Sequence, residues 1–328
     1  LVARKSNGVN YAIHLWVYTR EHFWYCFGVL LCNFKVETMK VILDSGAFSA
    51  WMKQTEIDIE AYANFCLANL DHIDYIVNLD VIPGKWGEKK LTQEQVIASA
   101  KKGWENYRYL VNKGLPKEKI IHVFHQDEPF SVLERMVYEF DYIGLAPSKD
   151  RTTQEKIQFL DVCMNYVCHS DGMPKIKFHG FGVTSMPILF RFPWFSCDST
   201  SWVKFGKYGI VLFPKRKYGK YRYDLSPYTI KVSSRSPAKA KADKHIDTMS
   251  PTENDWFVSM IEEKGFKLGQ SFFETNEKGK QVEIVKEEGL SNSGVQRDRW
   301  NLLYYLNIEQ SVPKWPWAFK FEDKHTLF

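Results

Sequence analysis

The chain has 328 residues, 45% hydrophobic and 25% charged, an ordinary globular balance with length for one large α/β domain or two average ones. Its net charge of +5 is modest, so function follows from where the charge is concentrated. Six cysteines at irregular spacings, Cys26, Cys32, Cys66, Cys163, Cys168 and Cys197, argue against a disulfide framework and fit reduced thiols in a cytoplasm.

In chain order, residues 23–34 form an apolar, aromatic run, far shorter than the roughly 20 residues of a membrane span. No clear small-residue cleavage site follows it, so it reads as a buried strand pair rather than a signal peptide. Met39 lies just ahead of the next strand, and the start, there or upstream, stays open. The expectation is a cytoplasmic protein with no membrane partner. From residue 41 onward, short β-rich runs at 41–43, 75–79, 120–124, 142–145, 176–181 and 194–197 alternate with helical spacing at 57–70, 92–113, 131–140 and 153–168. Thr92, with Gln95 three residues later, makes a capping box. Repeated strand, loop and helix units imply a parallel sheet. Two further strands at 11–18 and 27–34 bring the count to eight. The predicted fold is therefore α/β, a TIM-like (β/α)8 barrel over residues 1–232. Residues 233–244, rich in Ser, Ala, Lys and Pro, read as a linker or long loop. Residues 245–328 read as a small C-terminal α+β appendage, with helices near 253–264 and 295–307 and a hairpin turning at Asn276-Glu277-Lys278-Gly279.

The strand ends carry the informative side chains. Asp44 closes Val41-Ile42-Leu43 and opens Ser45-Gly46-Ala47-Phe48, and Asp198 follows Phe195-Ser196-Cys197 in the same way. With Asp80, Gln126, Gly144 and Gly182 they converge on the C-terminal face of such a sheet. Two carboxylates placed there lead towards glycosyl transfer. The plainer alternatives are an Asx-turn or helix cap for Asp44 and Asp198, a Val-Ile-Pro-Gly turn after Asp80, a loop hydrogen bond for Gln126 and turn geometry for the glycines. His122 and His125 have no companion cluster, so no metal site is expected.

Between Ser199 and Tyr223 there is no acid. Lys204, Lys207, Lys215, Arg216, Lys217, Lys220 and Arg222 alternate there with Phe205, Tyr208, Phe213, Tyr218, Tyr221 and Tyr223. Cations interleaved with rings can meet phosphates and unstacked bases together, and the alternative is a solvated basic hairpin or loop. Segment 203–223 is the candidate nucleic-acid surface.

Taken in order, these strand ends resemble the tRNA-guanine (queuine) transglycosylase superfamily, most closely its DNA-acting branch, the 7-deazaguanine DNA transglycosylases. Asp44-Ser45-Gly46-Ala47-Phe48 is similar to that superfamily's Asp-Ser-Gly-Gly-Phe motif. Asn78-Leu79-Asp80 resembles the strand end with the base-recognising Asp, and His125-Gln126 the one with a base-contacting Gln. Ile143-Gly144-Leu145-Ala146 resembles the Gly-Leu-Ala turn, and Phe181-Gly182-Val183 the Gly-Val turn before the nucleophile strand. Asp198, in Cys197-Asp198-Ser199-Thr200, matches the nucleophile position. The resemblance covers residues 41–205. Ala47, Ser49, Pro147 and Ser148 depart from the tRNA-type motifs, and the Cys-x-Cys-x-x-Cys zinc site is absent, which points away from tRNA.

The resemblance implies exchange of guanine in DNA for a free 7-deazaguanine base such as preQ0, with no organic cofactor. Asp198 would be the nucleophile and Asp44 the acid and base. Ser45, Gly46, Phe48, Asp80, Gln126, Gly144, Leu145, Gly182 and Val183 would hold the base. Other functions open to the same residues are base exchange on tRNA, a glycoside or nucleoside hydrolase, and a non-catalytic nucleic-acid-binding protein.

Overall fold

The computed structural model describes residues 15–18, 24–27, 40–85, 87–88, 91–183, 185–236 and 245–321. The chain divides into two compact units, one of residues 1–199 with 313–328 and one of residues 200–312. The sequence boundaries at 232 and 245 both fall inside the second unit, and most of the expected linker, 237–244, lies outside the described residues.

The first unit begins with a hairpin of β1 (Leu15–Tyr18) and β2 (Trp24–Phe27). β3 (Ile42–Leu43) then leads through α1 (Ala47–Lys53) and α2 (Ile59–Ala68) to β4 (Tyr75–Val77). Next come α3 (Gln93–Asn112), β5 (Ile120–His125), α4 (Phe130–Glu139) and β6 (Tyr142–Ala146). α5 (Thr153–Val167), β7 (Lys177–Gly180), the short α6 (Met186–Leu189) and β8 (Ser196–Cys197) complete it. Strands β3 to β8 form one sheet in sequence order, each neighbouring pair parallel. The helix starts follow local chemistry: Thr92 Oγ1 accepts from Gln95 N (3.2 Å) while Gln95 Oε1 accepts from Thr92 N (2.7 Å), and Thr152 with Glu155 repeats the box.

Successive strand residues face opposite sides of a sheet, and both sides are buried here. Leu43, Ile76 and Ile120 pack with Tyr62, Ala63, Cys66 and Leu110 of α2 and α3. Ile42, Val77, Ile121 and Val123 pack on the other side with Tyr142 and Phe195. Ile42 on the first strand of the order and Phe195 beside the last share this cluster, so the sheet curls and this face is its concave side. Ring contacts Tyr75–Tyr142 (5.0 Å), Tyr142–Phe195 (5.3 Å) and Phe195–Trp315 (5.0 Å) line it.

The expected closed (β/α)8 barrel is corrected by this topology: the parallel sheet has six strands and is open. The two N-terminal strands pair antiparallel with each other, Leu15 opposite Phe27 and Tyr18 opposite Trp24, as a separate two-stranded sheet. Cα atoms of β1 come within 8 Å of β3, and those of β2 within 8 Å of β8, without joining the hydrogen-bonded ladder. Only five residues link β1 to β2, whereas a parallel neighbour requires a crossover of a dozen or more. Among the described residues no helix is long and apolar enough to cross a membrane.

The second unit holds the helices and the hairpin expected after residue 245 together with elements from residue 200 onward. It comprises α7 (Ser201–Lys207), β9 (Ile210–Phe213), β10 (Lys215–Lys217), β11 (Lys220–Arg222) and β12 (Tyr228–Lys231). α8 (Pro251–Glu263), β13 (Gln270–Thr275), β14 (Gln281–Glu287) and α9 (Gly294–Glu309) follow. β9 pairs antiparallel with β12, while β10–β11 and β13–β14 are separate hairpins. Val211, Phe213, Ile230, Phe257, Ile261 and Trp300 anchor its core. One face of α9 ties it together: Arg297 Nε donates to Gly206 O (2.7 Å), Trp300 Nε1 to Leu212 O (2.8 Å), and Asn301 Oδ1 accepts from Leu212 N (2.9 Å).

Candidate active site at the strand ends

Asp44 leaves β3 into a turn that Gly46 makes possible, since its φ of +78° lies in the left-handed region that side chains disfavour. Ser45 between them is buried. Its Oγ donates to Asp80 Oδ1 (3.3 Å) and accepts from Ala47 N (3.3 Å). The other Asp80 oxygen, Oδ2, lies 2.9 Å from His125 Nε2, and His125 Nδ1 lies 3.1 Å from Glu128 Oε1. Burial alone would push the His125 pKa down, but the hydrogen bonds and charges of Asp80 and Glu128 outweigh it and hold it at about 10. His125 is thus an imidazolium donating from both nitrogens to two carboxylates. Asp44 and Asp80 also share a neighbour, the buried Tyr62 hydroxyl, which donates to Val77 O (2.6 Å). Burial raises the Tyr62 pKa well above the phenol range, and the charges of Cys66, Asp44 and Asp80 add to it.

Helix α3 braces this strand end from behind. Asn106 Nδ2 donates to Leu79 O (2.7 Å), and Gly103 O accepts from Asn78 Nδ2 (2.9 Å). Asn78 Nδ2 also lies 2.9 Å from His122 Nδ1. Trp104, Tyr107 and Phe140 surround the His122 ring, and burial pushes its pKa down to about 3. Three residues apart on one strand, the His122 and His125 side chains alternate across the sheet, His122 against α3 and His125 against Asp80 and Glu128. Among the described residues no His, Cys, Asp and Glu side chains are grouped to hold a metal.

Asp198 stands at the other end of the order, just after β8. Its Oδ1 accepts the Gly182 backbone N–H, its own N–H donates to Gly180 O (3.0 Å), and His179 Nε2 lies 3.8 Å from Oδ1. Behind it runs a buried polar chain. Ser196 Oγ is 2.6 Å from His179 Nδ1 and 2.5 Å from Tyr142 Oη.

The structure therefore assembles two groups: Asp44, Ser45 and Asp80 with His125 and Glu128, and Gly182 and Asp198 with His179 and Ser196. Ile42 and Phe195, which precede the two outer acids, share the concave cluster. Phe48 is 41% exposed, with Lys149 Nζ 5.4 Å from its ring centre. Other expected residues serve the framework. Gln126 Oε1 accepts from Ser148 N (2.9 Å), which staples the loops after β5 and β6 together. Gly144 sits mid-strand, where a Cβ would stand 2.3 Å from the Phe181 ring. Leu145 and Val183 are buried, and Leu145 O accepts from Phe181 N (3.0 Å). Lys204, Lys207, Lys215, Arg216, Lys217, Lys220 and Arg222 all belong to the second unit.

His125, Glu128, His179 and Ser196 were not singled out from sequence as parts of this site. A polar residue flanked by apolar ones on a strand, as His179 between Phe178 and Gly180, is the local signal for one of them. No protein-family model and no curated protein matches the chain.

Proposed function

We propose that the chain is a transglycosylase that exchanges guanine in DNA for a free 7-deazaguanine base. The observation that carries this reading is Asp80, whose two oxygens are fixed by Ser45 and by the His125 imidazolium. A carboxylate held in that way is an acceptor only, and each oxygen keeps a lone pair for a donor-rich edge such as N1–H and the exocyclic amine of guanine. His125 and Glu128 are positioning residues for it.

The remaining acids fit the chemistry of replacement at C1′. Asp198 attacks C1′ from the face opposite the base, the C1′–N9 bond breaks, and its electron pair leaves with the guanine, which Asp44 protonates. Asp44 then takes the proton of the incoming base, whose nitrogen attacks C1′ and releases the Asp198 carboxylate, a double displacement as in retaining glycoside hydrolysis. The Gly182 N–H on Asp198 orients the nucleophile and receives the carboxylate on release.

The test is incubation of the protein with DNA or tRNA and a labelled 7-deazaguanine base. Label entering DNA, with guanine released in equal amount, is expected. Release of base without incorporation would identify a hydrolase, label in tRNA alone would reassign the polymer, and neither product from a protein that binds nucleic acid would refute catalysis.

A further inference from the structure

β10 and β11 form a ribbon in which Lys215 faces Arg222, Arg216 faces Tyr221 and Lys217 faces Lys220. Cross-strand partners lie on the same side, so Arg216 and Tyr221 share one face and the other four residues, all cations, share the second. Tyr221 packs against the core of the second unit. Two of the four cations are engaged: Arg222 is paired with Asp224 (Nε to Oδ1, 2.7 Å), and Lys215 Nζ lies 3.3 Å from the centre of the Tyr228 ring. Arg216, Lys217 and Lys220 are exposed, and among the described residues no carboxylate pairs with them. Like charges directly opposite destabilise a strand pair, and an isolated two-stranded hairpin is marginal in water. A polyanion reverses the sign of that term. At the tip, Tyr218 is 89% exposed in a left-handed conformation (φ +52°), with Lys217 Nζ 5.3 Å from its ring centre.

We propose that this ribbon binds duplex DNA at a point where a base has left its stack, Lys217 and Lys220 meeting phosphates and Tyr218 stacking on the exposed base. The inference rests on the DNA reading above and specifies its partner. Enzymes that act on a base must draw it out of the duplex, and an exposed ring on a cationic stem combines the two contacts that such DNA offers.

Fluorescence anisotropy with the full chain and two labelled duplexes, one fully paired and one with a single bulged base, tests it without any free 7-deazaguanine. Wild type should prefer the bulged duplex. Tyr218→Ala should lose that preference by roughly 10-fold or more at an unchanged salt slope, and Tyr218→Phe should keep it. Lys217→Gln with Lys220→Gln should keep the preference but flatten the slope by about 0.9 for each contact. All three positions are exposed, so the Tyr218 variants should melt with wild type, and the lysine pair, relieved of facing like charges, should melt no lower. Equal preference in Tyr218→Ala and wild type, or an unchanged slope in the lysine pair, overturns the inference. A protein that passes these tests yet exchanges no base refutes the transglycosylase reading alone, and one that exchanges base but fails them refutes the ribbon alone.

Discussion

At the scale of single residues, variants of Asp198 and Asp80 test the proposed chemistry and the proposed recognition separately. Asp198 is part-exposed at a strand end and held by a backbone N–H, so Asp198→Ala should fold normally while losing base exchange and any trapped protein–DNA adduct. Retained exchange in the folded variant would remove it as nucleophile. Asp80→Asn places an amide against Ser45 and His125 and presents a partial donor to N1–H. Discrimination for guanine-like bases should fall by roughly 1 to 3 kcal/mol, the value of a buried hydrogen bond, with DNA affinity little changed. Competition between guanine and an analogue lacking the exocyclic amine reads this directly. Unchanged base preference would leave Asp80 as a turn residue. The three acids were legible because an apolar run ending in Asp is a local pattern. Glu128 and the His179–Ser196–Tyr142 chain were not, because their contacts depend on which strands become neighbours and in which register.

At the scale of elements, the β6 and β7 pairing depends on absence of a side chain. Gly144→Ala would drive a Cβ to 2.3 Å from Phe181, and overpacking of this kind costs about 1 to 3 kcal/mol. Chemical denaturation should show that loss, and adding Phe181→Leu should recover much of it; an additive double variant would mean that the strain lies elsewhere. All six parallel strands and the four long helices of the first unit were readable from period and capping. The barrel was not. A hydrophobic run records that a segment is buried but not whether its partner runs parallel, and here β1 pairs antiparallel with β2 (Trp24–Phe27), while 28–34 of the expected second run lies outside the described residues.

At the scale of the whole molecule, two histidines on one strand shape stability against pH in opposite senses. His125, raised to about 10, binds its proton more tightly folded than unfolded. Its contribution is complete below the ordinary histidine value of about 6.5 and fades as pH rises towards 10. His122, lowered to about 3, does the reverse: its contribution is complete above about 6.5 and fades as pH falls towards 3. Stability should therefore peak near neutrality. His125→Gln should flatten the alkaline limb in melting curves taken from pH 7 to 10, and an unaltered limb would mean that His125 is not the charged bridge.

Ring contacts between residues 192–195 and 315–319 bear on how the chain is made. Phe195 meets Trp315 and Phe192 stacks on Phe319 (5.5 Å), yet residues 200–312, which form the second unit, lie between those partners in sequence. Synthesis is vectorial, and N-terminal units generally fold first as they emerge. Here the earlier unit stays short of its last aromatic partners until the later one has been translated. Ribosome-bound chains arrested before residue 313 should be cut by protease near Phe192 and Phe195, and released full-length chains should resist. Its maturation is thus timed by translation of the segment inserted within it.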